Sequence, residues 1–207
     1  MSTVDQQFDV ITTSNLQTFF HESVSRAIGN QRVEAGDATI CYLVNLLTSF
    51  SRSENFFEDT ENGRGLRPLA NLYAVAVESN NEVERKRVLQ RLGDVALFVS
   101  GLFSDSFQRR LVDIDYYIAM GGSAYACLFE SSKRSDRDKA LGVIFRQLAA
   151  HFARFVDVLA EVGEKALGAH SQDLLRMHQI WEKTGSPRLE HKLRNLGVLP
   201  LQSKIMH

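Results

Sequence analysis

Along most of the chain the apolar residues recur every three or four positions. That is the spacing of one face of an α-helix rather than the alternation of a half-buried strand. After a polar lead of about a dozen residues, the pattern predicts a first helix from Ser14 or Asn15, carrying Leu16, Phe19, Phe20 and Val24 and ended by Gly29. A second helix follows from Asp37, striped by Ile40, Leu43, Val44, Leu47 and Phe50. The stretch from Ser51 to Arg67, with Asn62-Gly63 and Gly65, predicts a loop. Pro68 then suits the first position of a third helix, running to about Asn80.

Asn81 is placed to cap a fourth helix from Glu82 to about Phe103. Its first half is charged, with Glu82 and Lys86 one turn apart. Its second half, Val95 to Phe103, is apolar all round and belongs in the core. A fifth helix is expected from Leu111 to Glu130 and a long sixth from Ser135 to Leu167, bent at Gly142 or Gly163. The sixth carries Ile144, Leu148, Phe152, Phe155, Leu159 and Val162 as its stripe. A seventh covers Ser171 to Lys183, and Ser186-Pro187 starts a last short helix that runs to Asn195 and Gly197. The expectation is an all-α protein, an irregular bundle of seven to eight helices. Residues 14–197 form one domain, between a flexible lead (1–13) and a tail (198–207).

Composition supports this without adding chemistry. At 207 residues, with 44% hydrophobic and 24% charged, the chain can bury a core unaided by disulfides or a structural metal. Its three prolines leave room for long helices. Twenty-four basic against 25 acidic residues speak against non-specific nucleic-acid binding, which calls for a basic excess. Cys41 and Cys127 lie in apolar context and are expected to be buried thiols. The amino terminus lacks the basic and apolar regions of a secretory signal, and the longest apolar run is far short of a membrane span. A cytoplasmic protein with no membrane partner is expected.

Several chemistries lack their sequence patterns. There is no Glu-x-x-His pair for a di-metal bundle, no His-x-x-x-His, no Cys-x-x-Cys, no phosphate-binding glycine loop and no Gly-x-Ser-x-Gly. No metal and no cofactor is expected. What resists a purely structural account is a set of polar residues on the central helices. Asp94 follows Gly93 where the fourth helix turns from exposed to buried, so it needs a partner: Arg91, Arg87 or a neighbouring helix. Asp113 lies one turn from Tyr116 and Tyr117, so a carboxylate and a phenol can share a face, and Asp115 is the second acid of the same stretch. The small residues Gly121, Gly122, Ser123, Ala124 and Ala126 suit a tight helix crossing. His151 falls on the apolar side of the sixth helix by its spacing from Ile144, Leu148 and Phe155. If these converge, Asp94, Asp113, Asp115, Tyr116, Tyr117 and His151 make a polar pocket with acid–base capacity.

Arg146 and His151 match the Arg-x4-His pattern of helical HEPN-type ribonucleases, which cleave RNA without metal. In a continuous helix that offset points the two side chains about 140° apart. Such a spacing is expected about once by chance in a chain of this composition. Near the carboxyl end, Arg188, Leu189, Lys192, Leu193 and Leu196 form a basic amphipathic stretch. It could pack on the bundle or dock a partner in helix-in-groove fashion.

The order YLVNLL, LGDVALFVSGLF and VDIDYYIAMGGSAY, spanning about Tyr42 to Leu128, resembles a family of uncharacterised all-helical bacterial proteins. The resemblance implies a bacterial origin and a helical fold, and carries no activity with it. The expected function is a non-catalytic interaction or regulatory protein acting through helix surfaces, as a homodimer or with another protein. The alternative is a small-molecule-binding protein or enzyme with a polar pocket between the central helices, a metal-independent ribonuclease being its remotest version.

Overall fold

The computed structural model describes residues 13–51, 58–60, 63–103, 113–133 and 139–167. Helix α1 (Thr13–Gln31) buries Phe20, Val24, Ala27 and Ile28, residues three and four apart. It does not stop at Gly29. The chain turns three residues later at Arg32, whose φ of 53° is left-handed. The amide of Val33 closes on the Ile28 carbonyl at 3.1 Å and that of Arg32 on Gly29 at 3.3 Å, a Schellman closure of the helix end.

Helix α2 (Asp37–Phe50) follows as expected, burying Thr39, Leu43, Val44, Leu46, Leu47 and Phe50. Its N-cap position is Gly36, which has no side chain to offer. The Gln147 side chain supplies the acceptor from a distant helix, taking the Thr39 hydroxyl at 2.5 Å and the Gly36 amide at 3.4 Å. The segment expected to be a loop contains a short antiparallel hairpin, β1 (Glu58–Thr60) and β2 (Gly63–Gly65), pairing Glu58 with Gly65 and Thr60 with Gly63.

Helix α3 (Leu69–Glu78) begins one residue later than Pro68 suggested. Pro68 is the N-cap, and its carbonyl accepts the amides of Asn71 and Leu72. Helix α4 (Glu82–Leu102) is capped by the Asn81 side chain, which accepts from Val83 and Glu84. Lys86 and Glu82 pair at 3.4 Å, and every residue from Val95 to Gly101 is buried.

Helix α5 (Ile114–Ser132) precedes α6 (Lys139–Ala150) and α7 (Phe152–Leu167), the two pieces of the long helix expected as one. The bend falls at His151, not at Gly142 or Gly163. The His151 amide still reaches the Gln147 carbonyl, and the His151 carbonyl takes the Phe155 amide, both at 3.1 Å, so the helical bonding carries across the bend. The two glycines serve packing instead, with Gly142 against Ser132 and Gly163 against the backbone of Leu102.

The seven helices of the described residues make an all-α bundle built around α4, which packs against α3, α5 and α7. All six residues of the stripe from Ile144 to Val162 are buried. A β-carbon on Gly121 would meet the Phe152 ring at 2.3 Å and Ala96 at 2.8 Å. The small-residue face of α5 therefore serves the close helix crossing its composition suggested, through Gly121 and Ala124. None of the described helices is long and apolar enough to cross a membrane. The two expected helices from Ser171 onward, with the interaction residues Arg188, Leu189, Lys192, Leu193 and Leu196, lie outside the described residues, as do the tail and residues 1–12 of the lead.

Candidate functional site

The polar centre of the bundle is the place where α2, α4 and α5 meet. Asp94 of α4 is half-buried, and a lone carboxylate there would be costly. Its partners come from the two neighbouring helices. The Tyr42 hydroxyl donates to Asp94 Oδ1 at 2.5 Å, and the Tyr125 hydroxyl donates to the same oxygen at 2.7 Å. Gln90, one turn before Asp94, donates in turn to the Tyr42 oxygen at 3.2 Å. Arg91 is not the main partner; its guanidinium lies over the Phe50 ring, 4.7 Å from the centroid.

The rings around this group hold it in place. Tyr125 is fully buried, stacked on Phe145 at 5.8 Å and flanked by Phe152 at 5.9 Å. Tyr42 meets the rings of Phe145 and Tyr125 edge-on. Gly93 allows Tyr125 to lie this close, because a β-carbon at Gly93 would stand 2.7 Å from the ring.

Burial raises the Asp94 carboxyl to about 6, against the pull of the two tyrosine hydrogen bonds and the Arg91 charge. Burial, followed by the charge of Asp94, also lifts the hydroxyls of Tyr42 and Tyr125 far above the ordinary phenol range. They remain neutral donors throughout the range in which proteins work. A carboxyl that titrates near neutrality can in principle take and return a proton. Here both phenols already converge on one of its oxygens. A single carboxylate with two neutral phenols is also a poor donor set for a metal ion, which draws on several carboxylates, imidazoles or thiolates.

Of the six residues expected to line a pocket, only Asp94 lies in this cluster. Asp113, at the N-cap of α5, makes no side-chain cap bond and is exposed, as is Asp115. Tyr116 is exposed, and its ring lies edge-on against the half-buried Tyr117 at 5.8 Å rather than in a pocket with the carboxylates. His151 is exposed, a correction to its expected place on the apolar side, since the bend turns it outward while Phe152 takes the core position. Arg146 is exposed as well, and Gln147 between them is engaged by α2.

Cys41 and Cys127 are likewise exposed rather than buried: the core faces of α2 and α5 use other positions. Tyr42 and Tyr125 were the residues missed. The available signal was a tyrosine within an otherwise apolar helical run, Tyr42 in α2 and Tyr125 in α5.

An open cleft of about 480 Å³ does lie between α4 and α5, away from the candidate residues. It is lined by Arg85, Lys86, Cys127, Glu130 and Ser131 among others. No family model, curated protein or solved structure matches the chain.

Proposed function

We propose that this is a non-catalytic interaction or regulatory protein of the cytoplasm, working through its helix surfaces as a homodimer. One observation carries the proposal: the large apolar side chains Tyr73 and Val77 stand exposed one turn apart on α3. The polar centre speaks for the same reading, since one oxygen of Asp94 already accepts the hydroxyls of Tyr42 and Tyr125 and so ties α2, α4 and α5 together.

The runner-up is a small-molecule-binding protein, favoured by the cleft between α4 and α5, whose polar lining combines Arg85 and Lys86 with Glu82, Glu130, Cys127 and the hydroxyls of Ser79 and Ser131. Native mass spectrometry of the full chain, compared with its denatured mass, separates the two. A dimer of bare chain mass is the expected result. Extra mass that denaturation releases, and that falls when Arg85 is changed to alanine, would replace the proposal with the ligand-binding alternative.

A further inference from the structure

The helices of the bundle meet in two different ways. Among α4, α5, α6 and α7, side chains are inset against neighbouring backbones at glycine. A β-carbon on Gly93, Gly101, Gly121 or Gly142 would come closer than 3.0 Å to Tyr125, Leu159, Phe152 or Ser132 respectively, each on another of these four helices. The two glycines of the α1–α2 pair mark no such crossing. A β-carbon on Gly29 meets nothing within 4 Å, and one on Gly36 meets only the Gln147 side chain, at 3.9 Å.

The apolar faces of α1 and α2 are buried, and the polar contacts that fasten the pair to the body gather at one end. Glu161 of α7 accepts the side-chain amides of Asn30 at 2.6 Å and Gln31 at 3.0 Å, and Arg154 donates to the Gln31 carbonyl at 2.7 Å. Gln147 of α6 holds Gly36 and Thr39. These contacts all lie around the turn that joins the two helices. The far end of α2 is where the pair continues into the rest of the chain, and there Phe50 packs edge-on against Phe98 at 5.1 Å. A helix of 14 residues spans about 20 Å, so the fastened end and the attached end stand well apart.

Between those ends α2 covers the polar centre. Tyr42 closes over Asp94 and takes a bond from Gln90, whereas the second donor, Tyr125, belongs to the body. Swinging α1 and α2 away as one piece disturbs none of the four glycine crossings. It lifts Tyr42 off Asp94 and leaves the carboxyl with Tyr125 and water.

We infer that the α1–α2 pair is a lid over Asp94, latched at its turn by Glu161 and Gln147 and hinged at Phe50. The buried faces of α1 and α2 keep the closed state dominant, so the open one is a minor population. Opening does not require the homodimer.

Native-state hydrogen exchange on the full-length protein, read by mass spectrometry at low denaturant, tests the lid, with circular dichroism as the check on folding. The amides of α1 and α2 should exchange together, with protection at least about tenfold lower than in α4 and α5. Gln147→Ala and Glu161→Ala place a good helix former at part-exposed positions, and each should speed α1–α2 exchange about tenfold while leaving α4 and α5 unchanged. Carbodiimide coupling of an amine to Asp94 should accelerate in the same variants, in step with exchange. If α1 and α2 exchange only at the rate of α4 and α5, in the wild type and both variants, the lid is overturned. Separate exchange of α1 and α2 overturns their motion as one piece. Faster exchange without faster coupling at Asp94 overturns the cover over the carboxyl.

Discussion

Tyr125 donates its hydroxyl to Asp94 at 2.7 Å from inside an aromatic cage that leaves the phenol no solvent to turn to. Tyr42 converges on the same oxygen, Oδ1. The polar bond and the packing depend on each other, because the rings that exclude water from the carboxyl also fix its donors.

Because both donors use one oxygen, asparagine can replace Asp94 and keep both bonds while removing the buried charge. Asp94→Asn should therefore be at least as stable as the wild type at pH 8. Asp94→Ala leaves both hydroxyls without this acceptor and should fall below the asparagine variant by about 2–4 kcal/mol. Urea denaturation of the three proteins is the measurement. Equal stability of the two variants would show that the hydroxyls do not need the acceptor.

The same carboxyl sets a pH dependence of definite sign. Its folded value, about 6, lies above the ordinary 3.8, so the fold holds the proton that the unfolded chain has released. That contribution is complete below about pH 4 and lost as pH rises through 6, a fall of about 3 kcal/mol. Glu161 acts in the opposite direction. Hydrogen bonds from Gln31 and Asn30 lower its value, so its contribution is lost as pH falls below the ordinary glutamate range. Subtracting the Asp94→Asn curve from the wild type between pH 4 and 7.5 isolates the Asp94 component. A difference that stays flat over that window would contradict its burial as the cause.

Gly93 and Gly29 make a matched pair, both inside helices. A β-carbon at Gly93 runs into the Tyr125 ring, which Phe145 and Phe152 hold, whereas one at Gly29 meets nothing within 4 Å. Gly93→Ala should cost about 1–3 kcal/mol despite the better helix former. Gly29→Ala should gain up to about 1 kcal/mol. Thermal melts of the two variants should move in opposite directions, and a shared direction would rule out the crossing as the reason for Gly93.

Helix positions were readable from the sequence because they depend on local spacing: the cap at Asn81, the Glu82–Lys86 pair and the stripe from Ile144 to Val162 all stand where the periodicity put them. The need of Asp94 for a partner was readable too, since a carboxylate at the border of an apolar run demands one. Which partner was not. Asp113 and Tyr117 are near each other in sequence, while Tyr42 and Tyr125 lie 52 and 31 positions from Asp94 and reach it only through helix packing. His151 failed for a related reason. Its face followed from assuming an unbroken helix, and a bend of one residue was enough to turn it outward.

Arg32 offers a last prediction, from backbone alone. It occupies the left-handed position that closes α1, with φ at 53°, and its side chain is exposed. A side chain there places its β-carbon too near the following carbonyl, at a cost of about 1–2 kcal/mol, and glycine has no such carbon. Glycine gives back part of that advantage through the extra freedom of the unfolded chain. Arg32→Gly should therefore stabilise the protein by roughly 0.5–1 kcal/mol, while Arg32→Ala, which keeps the β-carbon, should not. Guanidinium denaturation distinguishes them. If alanine stabilises as much as glycine, the gain comes from removing the arginine charge rather than from relieving the backbone.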